Sequence, residues 1–261
     1  MSYWQDRIKR AQEAMTEKSY KQIDKQMKKY YRQAAYRVIS DFENTYNKIL
    51  AQIEKGQEPT PALLYRLDTY WQQQGALKHE LQRLGDKQIA LLFEEFELNF
   101  FEVYYSIALE GEQTFSDIDK AAVHQLLQSV WVADGKTFSQ RVWDNIERLT
   151  ETLNEGLVEC VATGKKTTDL KHTLQERFNI SYRRANTLVV TELAHIQTRA
   201  AEERYKAYGI EEVEVLVDDD HRTCDLCRSL IGKKFPINSA PILPLHPNER
   251  CCLVPVIKKH K

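Results

Sequence analysis

Cys224 and Cys227 form a Cys-x-x-Cys pair. After eighteen intervening residues, His246 opens a His-x4-Cys that ends at Cys251, with Cys252 beside it. A divalent ion such as zinc asks for four soft or borderline donors at tetrahedral corners, and a Cys-x-x-Cys turn directs two sulfurs to one side. Cys224, Cys227, His246 and Cys251 therefore make a candidate Cys3His zinc site, with Cys252 as an alternative ligand. Two other readings stand beside zinc: free thiols packed on the rest of the protein, and a Cys224–Cys227 disulfide formed after leaving a reducing compartment. Adjacent side chains on a strand point opposite ways, so Cys251 and Cys252 compete for one ligand position. The fifth cysteine, Cys160, lies on an apolar helical face and reads as a small core residue.

The same residues fail the common enzymatic patterns. A zinc deaminase needs His-x-Glu upstream of Pro-Cys-x-x-Cys, but Thr223 precedes Cys224 and His79-Glu80 are adjacent. A zinc protease needs His-Glu-x-x-His, and Glu192 to His195 supplies only Glu-x-x-His. Nothing places a histidine or an orienting acid beside Cys224 or Cys227 for nucleophilic chemistry. No Gly-rich phosphate loop occurs. The expectation is a protein that is not an enzyme and takes no small-molecule substrate.

The elements that carry these residues follow from where the helix breakers fall. The chain has 261 residues, 9 glycines and 7 prolines, and no proline lies between Ala62 and Phe235. Such a stretch is mostly helix, and it excludes a sandwich or barrel, which needs frequent turns. Apolar residues recur at steps of three and four from Trp4 to Ile53, with Ser19 filling one slot, which predicts one long helix closing near Gly56. A second helical region is expected over 62–109, interrupted near Gly75 and Gly85. Ser116 to Asp119 reads as a capping box for a short helix ending at Val132. Helices then follow from Thr137 or Ser139 to Gly164, from Thr168 past Phe178, and from Ser181 to Gly209. After Gly209, Val213, Val215 and Val217 alternate as in a strand, and short strands are expected at 233–235 and 253–257. The fold class is mainly α. A long helical arm over 1–115 and a helical bundle over 116–209 precede a small α+β Cys/His module with short strands over 210–261.

Charge divides the arm. Residues 7–37 hold ten Lys/Arg and three Asp/Glu, whereas residues 94–119 hold eight Asp/Glu and no Lys/Arg. An antiparallel hairpin whose arms attract explains both segments, and a basic arm for DNA or for an acidic protein is the alternative. A second cationic cluster, Lys165, Lys166, Lys171, Arg177, Arg183 and Arg184, reads as a weak nucleic-acid surface or as a solvated helix face. The net charge of −1 leaves no large field over the whole chain. No apolar run of 18 residues exists to span a membrane, and the first fifteen residues lack the apolar region of a signal peptide.

From Trp131 onward, the order of signals resembles the phage head-morphogenesis family of Mu F-like minor head (minor capsid) proteins. The matching pieces are GKTFSQRVW, the Gly164–Asp169 turn, RANTLVVTELAHIQTRAAEERYKAYGI, DDDHRTCDLC, GKKF and HPNERC. Asp220, Thr223, Cys224, Cys227, Gly232, Lys233, Phe235, His246, Pro247, Arg250 and Cys251 fall on the family pattern, and Tyr3, Trp4 and Arg7 fit its start loosely. One departure is Glu249, where the family usually has the first cysteine of Cys-Arg-Cys. If that position ligates in the family, Glu249 or Cys252 must substitute. The resemblance implies a structural role in virion assembly. Expected partners are the portal and other capsid or scaffold proteins, with non-specific contact to packaged DNA. It implies a place in the head interior or at the portal vertex, and in the host cytoplasm during assembly. Competing readings are a zinc-stapled nucleic-acid-binding protein of the host and a toxin- or hydrolase-like module. The latter is expected to need more chain than the six residues after Pro255.

Overall fold

The computed structural model describes residues 3–56, 58, 60–107, 117–218, 220–221 and 223–257, with the side chains of 3–5 left aside. Long helices dominate: α1 (Tyr3–Ile53), α2 (Pro61–Tyr65), α3 (Asp68–Ser106), α4 (Lys120–Leu127), α5 (Phe138–Thr163) and α6 (Thr167–Ala207). The remainder holds β1 (Glu212–Leu216), a one-turn α7 (Asp225–Arg228), β2 (Lys234–Pro236) and β3 (Cys252–Pro255). The class is mainly α with a small strand-bearing Cys/His region at the C-terminal end. The chain clusters into two compact units. One comprises Met1–Ile23, Leu92–Phe138 and Thr187–Lys261, and the other Asp24–Leu91 and Ser139–Asn186.

Several helix limits differ from the sequence reading. The chain breaks at Arg66 and Leu67, after the Thr60-Pro61 start of α2, and α3 runs unbroken through Gly75 and Gly85. Gly85 is there for space. A Cβ at that position would lie 2.5 Å from the Trp143 ring, closer than any packing tolerates. Gly75 meets nothing within 4 Å. Ser181 does not start a helix: α6 is continuous from Thr167, and Asn145 donates to the buried Ser181 carbonyl at 3.0 Å. Helix α4 begins after Asp119, whose carboxylate accepts from Ala121 N at 3.0 Å, and it ends at Leu127, five residues before Val132. The Gly111 break, the Ser116 part of the capping box and the side chains of Tyr3 and Trp4 lie outside the described residues.

The stops at Gly164 and Gly209 follow the expected mechanism. Each glycine has positive φ, 61° and 69°. Gly164 N bonds Val161 O and Lys165 N bonds Cys160 O; Gly209 N bonds Lys206 O and Ile210 N bonds Tyr205 O. That paired pattern satisfies the last carbonyls of a helix through a left-handed residue. Buried Tyr46 shares its single O–H between two carbonyls at the end of α5, Cys160 O (2.9 Å) and Lys165 O (2.5 Å).

In the first unit, Ser19 interrupts the apolar stripe because its hydroxyl accepts from buried Asn99 at 3.1 Å. Phe96 meets Phe138 edge-on at 5.4 Å. The strands form one antiparallel sheet, ordered β2-β1-β3, with Val213 opposite Phe235 and Pro255 and Leu216 opposite Cys252. Tyr205 of α6 donates to Leu253 O at 3.1 Å, joining the sheet to the helix that precedes it. The second unit buries Met27, Ala34, Val38 and Phe42 of α1, Leu77 and Leu81 of α3, Val142 and Leu149 of α5, and Leu170 and Phe178 of α6. These positions recur at helical spacing, so one apolar stripe per helix supplies the core.

Candidate metal centre

Cys224 stands at the N-cap of α7, in extended backbone, and its Sγ accepts from Cys227 N at 3.4 Å. The single turn of α7 brings Cys227 back alongside Cys224, as a Cys-x-x-Cys turn should. Thr223 holds the approach: its hydroxyl donates to Asp218 O and accepts from Asp220 N at 3.2 Å. The opposite wall is the turn His246–Glu249, closed by Glu249 N to His246 O at 3.3 Å, with Asn248 at φ 60°. Asparagine tolerates that left-handed conformation better than most residues.

These two turns converge and place beside Cys224 and Cys227 a histidine that the sequence had not put there. His246 Nε2 lies 3.3 Å from Cys224 Sγ and 3.2 Å from Cys227 Sγ. His246 Nδ1 donates to Pro247 O at 3.0 Å, which leaves the Nε2 lone pair facing the sulfurs. A metal-bound imidazole wants this tautomer and this kind of outer hydrogen bond. Cys224, Cys227 and His246 form one group with ligand atoms within 4.8 Å of one another; Cys227, Glu249 and Cys251 form a second. Cys227 belongs to both.

Glu249 is the residue whose role sequence reasoning left open. It is buried, and its Oε2 accepts from Leu245 N and from His246 N (3.3 Å). Its Oε1 is buried with no hydrogen-bond partner. A buried, unpartnered carboxylate oxygen beside two thiols is costly without a cation, so these residues fit a metal ion. The enclosed space is about 30 Å³, enough for an ion and too small for an organic cofactor.

Three of the four expected ligands hold their protons more tightly than usual, and an ion would have to displace them. The Cys224 thiol is drawn below its ordinary value, first by the backbone N–H of Cys227 and then by its hydrogen bonds to Cys227 and His246. Burial, then the shared hydrogen bond with Cys224, pushes Cys227 up to about 11. Burial and the Glu249 carboxylate push Cys251 further up. His246 is raised, mainly by its bond to Pro247 O. Around the rim, Arg250 bonds Asp220 at 2.7 Å and lies 3.7 Å from Asp218, whose carboxylate also takes Lys9 of α1. Nothing in the spacing of Lys9 and Asp218 flagged this tie; only the fold brings them together.

Cys224, Cys227, His246, Cys251 and Glu249 thus line one small space, but Cys251 groups with Cys227 and Glu249 and not with Cys224 and His246. Cys252 is in neither group. It packs with Leu216 and Val254 in an apolar cluster, where burial holds its thiol up at about 12. Cys160 is fully buried. Glu192 and His195 belong to neither group: Glu192 accepts from Trp131 Nε1 at 2.9 Å, and His195 stacks on the Trp131 ring at 4.0 Å and bonds Leu243 O.

Two lysines of the second cationic cluster stand in ion pairs. Lys165 pairs with Glu159 and Lys171 with Glu43, each at 2.6 Å. Arg177 is half-buried, and Lys166, Arg183 and Arg184 are exposed.

The fold and site define a helical protein whose small strand module carries a Cys/His cluster able to hold a metal ion. Residues 151–253 match the family model described as Phage Mu protein F like protein, consistent with a phage head-morphogenesis family. The match covers about two-fifths of the chain, from within α5 to β3, and includes every member of the cluster. No curated protein matches the chain, and no solved structure does. Among the described residues, no helix is long and apolar enough to cross a membrane.

Proposed function

We propose that this protein is a minor structural component of a phage head, without turnover. It joins the capsid at the portal vertex and contacts packaged DNA, and zinc is its metal. The observation that carries the reading is the coincidence of the Mu F-like match with the converging cysteine and histidine turns. Three thiolates and one imidazole are a donor set that zinc favours and that harder ions do not. A centre of about 30 Å³ supports a staple and not a substrate pocket. The test is assembly: the chain is expected in purified proheads and virions and in a complex with the cognate portal protein. Its absence from proheads made by an otherwise complete phage, with no portal complex on mixing, overturns the reading.

A further inference from the structure

If the basic α1 segment served only to attract the acidic segment of α3, its cations would be paired with those acids. Among the described residues Lys18 pairs in this way with Glu102 at 2.5 Å. Farther along α1, Lys28 pairs with its own neighbour Asp24 and Arg37 with Glu80. Around Lys28, the residues Lys25, Lys29 and Arg32 are exposed and carry no ion pair among the described residues. Their spacing of four and three puts them, with Lys28, along one helix face over roughly 10 Å.

The surroundings of this face are those of an anion surface. Beside Lys28 and Arg32 a cleft of about 180 Å³ opens toward α6, where Gln175 and Asn179 supply amides and Tyr182 a phenol; Asp24 lines the adjoining hollow over Lys25, Lys28, Lys29 and Arg32, its carboxylate taken by Lys28 and Tyr182. Lys87 of α3 adds a cation over the Tyr30 ring at 5.4 Å. One turn beyond Arg32, Tyr36 is 78% exposed. Lysine, arginine, glutamine, asparagine and tyrosine are the side chains that contact phosphate and sugar in protein–DNA interfaces. Apart from Tyr36, no large apolar side chain is exposed there, so the face lacks the apolar centre on which a protein partner would dock.

We propose that the α1 face of Lys25, Lys28, Lys29 and Arg32 binds the phosphate backbone of duplex DNA without reading sequence. In the α6 cluster Glu159 and Glu43 occupy two of the six cations, as Asp24 occupies Lys28 here, so the test compares the two surfaces. The inference names the DNA surface of the head component proposed above and rests on that reading only for the choice of DNA.

The test uses the full chain and a labelled random-sequence duplex, with fluorescence anisotropy read between 50 and 200 mM salt. The triple variant Lys25→Glu, Lys29→Glu, Arg32→Glu is expected to bind at least tenfold more weakly, with a log–log salt slope smaller by roughly 2 to 3. The charge-preserving variant Lys25→Arg, Lys29→Arg, Arg32→Lys should bind like the wild type, and so should Lys166→Glu, Arg184→Glu. Circular dichroism melts confirm that each variant folds. The proposal is overturned if the triple variant binds within twofold of the wild type, if the α6 variant loses as much, or if polyglutamate displaces the duplex at lower concentration. A chain present in proheads that fails to bind duplex sinks this surface alone, whereas a DNA-binding chain absent from proheads sinks the head reading alone.

Discussion

Glu95 shows how one residue departs from its segment's average. Eight acids between 94 and 119 read as the arm that attracts the basic segment of α1, yet Glu95 is buried and takes a hydrogen bond from the uncharged Gln22. Burial raises its carboxyl above the ordinary value, and Glu94 and Glu102 add to the rise. The sign of the consequence follows. Between the ordinary and the raised value the folded state holds more protons than the unfolded chain, so stability falls as pH rises through that window. At pH 7 a buried charge is being maintained at a cost. Glu95→Gln keeps an acceptor for Gln22 and removes the charge. It should therefore raise the thermal midpoint at pH 7, and the gain should vanish below the ordinary carboxylate range. Calorimetry at pH 7 and pH 4 checks this, and an equal gain at both values would refute the burial argument.

At the scale of elements, glycines separate what sequence could tell from what it could not. Gly164 and Gly209 were legible as helix stops because a left-handed residue after the last turn is local chemistry. Gly85 was misleading as a break because its cause, the Trp143 ring, sits 58 residues away in α5. Ser181 misled for the same reason: its partners come from other helices. In the metal centre, the Cys-x-x-Cys and the His246 turn were legible by spacing. Glu249's inward carboxylate and the Lys9–Asp218 tie depend on tertiary placement. The glycines also provide a paired measurement. Gly209 has φ 69° and open space around its would-be Cβ, so Gly209→Ala incurs only backbone strain, about 1 kcal/mol. Gly75 is mid-helix in equally open space, so Gly75→Ala should stabilise by up to about 1 kcal/mol. For a chain of this size the two melting points should move in opposite directions by roughly 2–4 °C.

For the whole molecule, the candidate metal centre matters through what it would hold together. The unit that contains it is drawn from three separated stretches of chain, and its sheet is short: β1 pairs three residues with β2 and four with β3. Tyr205 to Leu253 and Lys9 to Asp218 tie the strand module to helices of the same unit. The loops that carry the cysteines have little apolar burial of their own, with Leu226, Ile231 and Leu245 all exposed. An ion clamping α7 to the 246–251 turn would supply what packing does not. Because Cys227 belongs to both donor groups, Cys227→Ser should abolish binding of one zinc per chain, whereas Cys252→Ala should keep it and lose only packing. Binding releases the protons that Cys227 and Cys251 hold, so affinity should fall as pH falls. Chelation followed by hydrogen exchange should then expose β1, α7, β3 and the loops between them, and leave residues 24–91 and 139–186 protected. Zinc retained by Cys227→Ser, or exchange rising equally in both units on chelation, would show that the centre is not the staple of the strand module.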